Sequence, residues 1–266
     1  MMHPAICTGF DPAVPFAESL TMIRDAGFEV VAIGARPEHS GYDTSEGRRR
    51  IVELLDDRRL RVDSVHAPFP EGDRLCSLDE AERSESVRQC TVAIDAADHL
   101  GTDVVVVHLN TNADASVRAR MLDQGLRSLQ TLSECALGRG VGLALENSWG
   151  EPYAELLHAI LGELGGAPIG FCFDAGHGNV DGVGIGDLLR YGHRLLTVHL
   201  HDNLGTDTHM LPYEGNMDWG RIIGALREVG YRGNLLLEAA THDSEFKDAV
   251  TFLRQAHERA ERLLRE

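Results

Sequence analysis

The chain has 266 residues, of which 43% are apolar, enough to fill one large core or two small ones. Its 42 acidic and 25 basic residues give a formal net charge of -17, and such a surface repels a phosphate backbone, which argues against nucleic acid as a partner. No apolar run approaches the roughly 18–20 residues of a membrane span and the first residues lack a signal-peptide pattern, so no membrane association is expected and the expected location is the cytoplasm.

The cysteine and lysine content limits the kinds of reaction that the chain can catalyse. The 5 cysteines are scattered without a CxxC spacing, which is typical of reduced, mostly buried thiols. The chain has a single lysine, Lys247, and it falls in a predicted helix. A Schiff-base mechanism that needs a lysine on a strand is therefore excluded.

Eight short, β-branched apolar runs alternate with amphipathic helical patterns along the chain. In chain order, the predicted strands cover 5–10, 30–35, 61–68, 103–110, 142–147, 169–176, 195–202 and 234–239. Predicted helices cover 17–27, 46–57, 84–101 and 115–140, and a long amphipathic helix covers 246–266. Eight strands, each followed by a helix, predict an α/β protein: one (β/α)8 TIM barrel that occupies residues 1–266 as a single domain. A doubly wound open sheet is the alternative, but "TGFDPAVPF" after the first strand is not its glycine-rich phosphate turn.

Six successive predicted strands end in residues that can bind a metal. Singly, a histidine at a strand end is usually a solvated or hydrogen-bonded residue, and a carboxylate there is often a helix N-cap. In a barrel, however, the carboxyl ends of all strands meet on one face, where a buried charge must be paired or bound to a cation. A mixed set of imidazoles and carboxylates is typical of zinc, manganese or a similar divalent ion. The set comprises His66, His108, Glu146, Asp174 with His177, His199 with His201, and Glu238.

The motifs at these strand ends resemble those of the xylose isomerase-like barrels. The resemblance runs along the whole chain and rests on "HAPF", "VVHLN", "LEN", "FDAGH", "VHLHDN", "DTH", "EGNMDW" and "LLLEA". That superfamily contains sugar (phosphate) isomerases and epimerases and also the endonuclease IV-type apurinic endonucleases. The resemblance implies that Glu146, Asp174, His199 and Glu238 hold one divalent ion: Mn²⁺, Zn²⁺, Co²⁺ or Mg²⁺.

The first activity that the resemblance implies is a metal-dependent sugar isomerase or epimerase. Such an enzyme removes a proton next to a carbonyl through a metal-stabilised enediolate. Glu146 and Glu238 are expected to be its acid and base groups, and His177 is expected to bind a substrate oxygen. Trp149 and Trp219 are expected to form apolar walls against the sugar. For Trp219, a helix-start residue packed on the barrel rim is an equally weighted alternative.

The alternative activity is an endonuclease that cleaves abasic DNA with up to three Zn²⁺ ions. His66, His108, His177, Asp207 and His209 match the ligands of the two additional ions in that branch. His201 is expected beside the metal shell or facing the substrate. The acidic surface and the short, arginine-poor loops argue against this activity. A barrel that binds a metal or ligand without catalysis remains a third possibility.

Departures from the family patterns bear on the substrate. The stretch "NLGTDT" lacks the arginine of ketose 3-epimerases, "HLHD" replaces the "HxKD" of dehydratase relatives, and Tyr213 replaces the glycine of a "PGEG" loop. No basic cluster at the strand ends predicts a phosphate site, and Arg36 is the nearest candidate. The expected partner is therefore a small unphosphorylated sugar or polyol. The last helix is expected to pack on the barrel, with part of it available for a homo-oligomer interface.

Overall fold

Eight parallel strands form the centre of the molecule. The computed structural model describes residues 2–110, 113–166 and 168–266. The strands are β1 (Pro4–Cys7), β2 (Val30–Ile33), β3 (Arg61–His66), β4 (Val104–Val107), β5 (Gly142–Glu146), β6 (Ile169–Asp174), β7 (Leu195–His199) and β8 (Leu235–Leu237). They neighbour one another in the order β7-β6-β5-β4-β3-β2-β1-β8. Leu200 joins the two ends, because its amide donates to the Leu236 carbonyl at 2.9 Å and its carbonyl accepts from the Glu238 amide at 3.1 Å. The predicted (β/α)8 TIM barrel is confirmed.

Ten α-helices connect the strands and surround them within the described residues. They are α1 (Phe16–Asp25), α2 (Pro37–Ser40), α3 (Ser45–Arg58), α4 (Glu80–Leu100), α5 (Arg118–Leu137), α6 (Glu151–Glu163), α7 (Ala175–Val180), α8 (Gly186–Tyr191), α9 (Trp219–Glu228) and α10 (Ala249–Leu263). The predicted helix 246–266 begins later than expected because Asp248 caps α10 by accepting from the Thr251 amide at 2.9 Å. Among the helices that the structure describes, none is long and apolar enough to cross a membrane.

Alternation along the strands separates two apolar regions. One set of positions, such as Val105 and Leu143, belongs to the large core between barrel and helices. The positions between them form smaller clusters, and Ala144 and Cys172 belong to one of these. Because side chains two residues apart on a strand point to the same side, Glu146 and Asp174 share the inner face of those small residues. The strands therefore direct their last side chains into the mouth of the barrel.

Candidate metal centre

The four residues predicted as a metal core lie together in the barrel mouth. Glu146, Asp174 and His199 are the last residues of β5, β6 and β7, and Glu238 directly follows β8. Each offers one ligand atom, and these four atoms lie within 4.8 Å of one another. The Nδ1 atom of His199 is 3.1 Å from a carboxylate oxygen of Glu146 and 3.1 Å from one of Glu238. These four side chains can hold one ion between them.

Two further histidines approach Glu146 from the neighbouring strands. His66 Nε2 and His108 Nε2 lie 3.4 Å and 3.3 Å from Glu146 Oε2. The His66 ring stacks against both His108 and His199, with centroid distances of 5.3 and 5.7 Å. Glu146 is thus the carboxylate around which the imidazoles from β3, β4 and β7 gather.

A third group lies on the other side of the core. His177, His201, Asp207 and His209 place one ligand atom each within 4.8 Å of the others. Asp207 Oδ1 is 3.7 Å from His177 Nε2 and 3.7 Å from His209 Nε2. All the predicted metal-capable residues are therefore brought to one end of the barrel, where two of the groups share Glu146 and the third has no member in common with them.

Several buried polar atoms of the core lack hydrogen-bond partners among the described residues, as is expected at a site for a divalent cation. The Glu146 side chain is 1% exposed, and within the described part of the chain neither of its oxygens has a hydrogen-bond partner. His199 Nδ1 lacks one as well. By contrast, the carboxylate of Asp63 accepts from Thr197 Oγ1 at 2.9 Å and from Asn234 Nδ2 at 2.7 Å. A buried carboxylate without donors is costly unless a cation balances it, so the donor set suits a metal ion.

The Glu146 carboxylate and the imidazoles around it shift one another's pKa values. Burial raises the pKa of Glu146, but the imidazoles of His199 and His108 outweigh it and hold that pKa well below its usual range. Burial lowers the pKa of His108, but Glu146 outweighs it and raises the pKa to about 9. The Glu146 carboxylate is therefore ionised at neutral pH and attracts positive charge. A divalent ion that binds here replaces imidazole protons, so its binding releases protons.

Asp174 is fixed by two contacts besides the core. Its Oδ1 accepts from the His177 amide at 2.6 Å and so caps α7. His201 Nε2 lies 3.1 and 3.2 Å from the two oxygens of Asp174, and the His201 ring stacks on His209 at 4.0 Å with an interplanar angle of 6°. A Cβ at Gly176 would overlap the His201 ring, which explains the glycine there. His201 is fully buried beside Asp174 and does not line the pocket.

A pocket of about 140 Å³ opens above the core. Trp149 stands at its edge, 37% exposed, with its ring 5.0 Å from that of His177. Phe69 stands at another edge, 41% exposed and 5.3 Å from the His108 ring. Phe69 belongs to the "HAPF" motif, but its place at the pocket edge was not predicted from the sequence. The pocket is lined by Ala35, His66, Phe69, His108, Glu146, Trp149, His177, Asp207, His209 and Glu238.

Trp219 lies outside this pocket. It is the first residue of α9, is 3% exposed and donates from Nε1 to Asp202 Oδ2 at 2.9 Å. The Asp202 carboxylate also accepts from the backbone amides of Asn203 and Tyr213 at 2.9 Å. The structure therefore places Trp219 on the barrel rim, where it supports the loop that carries Asp207 and His209.

Substitution of Trp219 by phenylalanine is expected to lower the free energy of unfolding by about 1–3 kcal/mol, because the fully buried Asp202 carboxylate loses a donor. Urea unfolding followed by circular dichroism measures the change. Trp149→Phe serves as the control, since Trp149 is partly exposed and its ring lies at the pocket edge. An unchanged stability of the Trp219 variant would contradict the supporting role.

Comparison with known proteins agrees with this geometry. The sequence model of the family described as "Xylose isomerase-like TIM barrel" matches residues 20–256. An uncharacterised protein of Sinorhizobium fredii is 30% identical over 92% of this chain and 87% of its own length. The D-psicose 3-epimerase of Enterocloster bolteae is 26% identical over 84% of this chain and 76% of its own. The crystal structure of a D-tagatose 3-epimerase-like protein superposes with a TM-score of 0.82 at 25% identity, covering 99% of both chains.

Proposed function

The chain belongs to the xylose isomerase-like TIM barrel family, and from that premise we propose that it is a divalent-metal-dependent sugar epimerase or isomerase. Its similarity to D-psicose 3-epimerase and to a D-tagatose 3-epimerase-like protein supports a sugar substrate. The observation that carries the proposal is the pair Glu146 and Glu238, whose carboxylates both lie 3.1 Å from the same nitrogen of His199. Two carboxylates at one cation site can serve as the base and the acid of a proton transfer next to a carbonyl.

Glu146, Asp174, His199 and Glu238 would hold the metal. The bound ion supplies Lewis-acid stabilisation of the negative charge that develops on the carbonyl oxygen. One glutamate removes the proton from the carbon next to the carbonyl, and the other returns a proton to the same carbon or to its neighbour. Both glutamates line the pocket. Glu146 ends β5 and Glu238 follows β8, and these two strands lie on opposite sides of the pair β6 and β7. The two carboxylates can therefore reach a substrate from different directions.

His177 is arranged to bind a substrate hydroxyl group. Its Nδ1 lies 2.7 Å from the Asn147 carbonyl, so in the neutral ring Nδ1 carries the hydrogen and donates it to that oxygen. Its Nε2 then has a free lone pair, and the residue lines the pocket. Nε2 therefore accepts a hydrogen bond from a sugar hydroxyl and orients the carbon that loses its proton.

Exchange of a substrate hydrogen with solvent tests the proton transfer directly. The metal-loaded protein is incubated with a panel of ketoses in deuterium oxide, and incorporation at the carbon next to the carbonyl is followed by NMR. Incorporation above the metal-only background supports the proposal. If no ketose, free or carrying a charged group, takes up deuterium, the proposed reaction is wrong.

A second candidate function rests on the group His177, Asp207 and His209. These residues correspond to ligands of an additional zinc ion in the endonuclease branch, and they meet beside the core. The acidic surface favours the sugar enzyme, as does the lack of an arginine or lysine among the described residues that line the pocket above the core.

Metal analysis of the purified, untreated protein is expected to find about one tightly held divalent ion per chain, because four side chains converge on one position. Plasma mass spectrometry, together with an assay on an abasic DNA duplex, distinguishes the functions. About three zinc ions with duplex cleavage would favour the endonuclease instead. Less than about one equivalent in total would mean that the site does not retain a metal.

A further inference from the structure

A second cavity of about 270 Å³ adjoins the pocket above the metal core. Ala35, His209 and Glu238 line both spaces, which therefore adjoin at these residues and are together called the cleft. Of the two core glutamates, Glu146 lines the first pocket and Glu238 lines both that pocket and the second cavity. A substrate whose reacting carbon lies at Glu238 therefore has room to extend away from the core.

Small residues at three strand ends create this extra space. Strands β3, β5, β6 and β7 end in an imidazole or a carboxylate, and β4 and β8 run directly into one, whereas β1 and β2 run into small residues that include Gly9, Gly34 and Ala35. A Cβ at Gly34 would lie 3.1 Å from the sulfur of Cys7, so a larger residue does not fit there without displacement. Ala239 and Ala240 after β8 complete the wall. The cleft is thus open because these positions carry little side-chain volume.

Arg36 follows β2 and, among the residues that the structure describes, is the one arginine or lysine that lines the cleft. Its side chain is exposed and makes no hydrogen bond or ion pair with any residue in the described part of the chain. The histidines nearby are engaged elsewhere: His39 Nε2 lies 2.9 Å from the Val14 carbonyl, and His242 Nε2 lies 3.4 Å from the Asp243 carboxylate. In a chain of net charge -17, an arginine without an acidic partner at the wall of a cleft is notable.

We propose that Arg36 binds an anionic group of the sugar substrate, either a carboxylate or a phosphate. This group is located on a part of the substrate that is distant from the reacting carbon. This inference rests on the proposed function and departs from the expectation of a small unphosphorylated sugar or polyol. A guanidinium is always protonated and offers a planar pair of donors, which matches both anions. The cavity supplies the room between that group and the carbon at Glu238.

Solvent hydrogen exchange with three probes tests the proposal: D-fructose, D-fructose 6-phosphate and D-fructuronate. With the metal-loaded wild-type protein, we expect kcat/KM for one anionic probe to exceed that for D-fructose. In Arg36→Ala this preference is expected to fall about 10–100-fold, mainly through KM, because a charge-assisted hydrogen-bond pair is lost. Arg36→Lys is expected to restore part of it. Arg49→Ala, an exposed arginine on α3 outside the cleft, is the matched control and keeps the preference.

The probes also identify the group. A preference for D-fructose 6-phosphate assigns a phosphate, and a preference for D-fructuronate assigns a carboxylate. Equal or better use of D-fructose by the wild-type protein overturns the proposal, as does an Arg36→Ala variant that keeps the full preference. If no probe exchanges its hydrogen, the proposed sugar reaction is wrong, and the role of Arg36 is then tested by calorimetry. An anionic probe that binds the wild-type protein at least tenfold more tightly than Arg36→Ala supports the anion site. Equal binding to both proteins overturns it.

Discussion

Replacement of Glu146 by glutamine is expected to abolish both metal retention and turnover. The change preserves the size of the side chain and removes the charge that four imidazoles face, since His66, His108, His177 and His199 each have a nitrogen within 3.5 Å of this carboxylate. We expect the metal content to fall to background and the exchange rate to fall by about 10³-fold or more, because an acid/base group and a metal ligand are lost together. Plasma mass spectrometry and deuterium incorporation measure the two effects.

Asp63→Asn is the matched control for this experiment. Asp63 is a carboxylate of the barrel whose partners are the neutral side chains of Thr197 and Asn234. Its substitution is expected to leave the metal content unchanged, and circular dichroism of both variants verifies that they fold. A folded Glu146→Gln protein that retains about one equivalent of metal would contradict the assignment of Glu146 to the core.

Replacement of Glu238 by glutamine is expected to separate turnover from metal retention. The Glu238 carboxylate lies 3.1 Å from one imidazole nitrogen, that of His199, and its side chain is 20% exposed where the two cavities adjoin, compared with 1% for Glu146. The loss of charge therefore weakens the metal site less, while the accessible base is removed. We expect deuterium exchange to fall by about 10²–10⁴-fold, the usual contribution of a positioned general base.

The metal content of Glu238→Gln, measured on the same preparations, is expected to stay above that of Glu146→Gln. Full saturation with the metal before the exchange assay excludes simple metal loss as the cause of a slow reaction. An exchange rate within about tenfold of the wild-type rate under saturation would show that Glu238 is not an acid/base group.

The "PYEG" stretch departs from the family motif, and the structure shows which contacts the new side chain makes. Tyr213 replaces a glycine of the family pattern, and its backbone keeps the left-handed conformation that favours glycine, with φ of 71°. Arg262 lies over the Tyr213 ring at 3.7 Å, and the hydroxyl group donates to Glu266. At this turn the chain thus carries a side chain that contacts the C-terminal end of the chain.

The sequence by itself determined the barrel and the group of residues at its mouth. Strand residues alternate between two faces, and parallel strands in a closed barrel present their carboxyl ends together. The metal-capable residues at the ends of six strands must therefore lie close together, independently of the conformation of the loops. Strand geometry therefore grouped all of these residues, and the resemblance to the family motifs then singled out Glu146, Asp174, His199 and Glu238 as the metal core.

Only the tertiary structure decided the positions that depend on loops and on volumes between distant strands. Trp219 turns onto Asp202 because the loop after β7 folds back over the rim, and His201 lies beside Asp174 because Gly176 leaves room for its ring. Neither orientation follows from periodicity, since it is set by contacts between residues far apart in sequence. The cleft that leads to Arg36 is of the same kind: it is the space that small residues on β1, β2 and β8 leave unfilled, and such a space exists only when the strands are packed together.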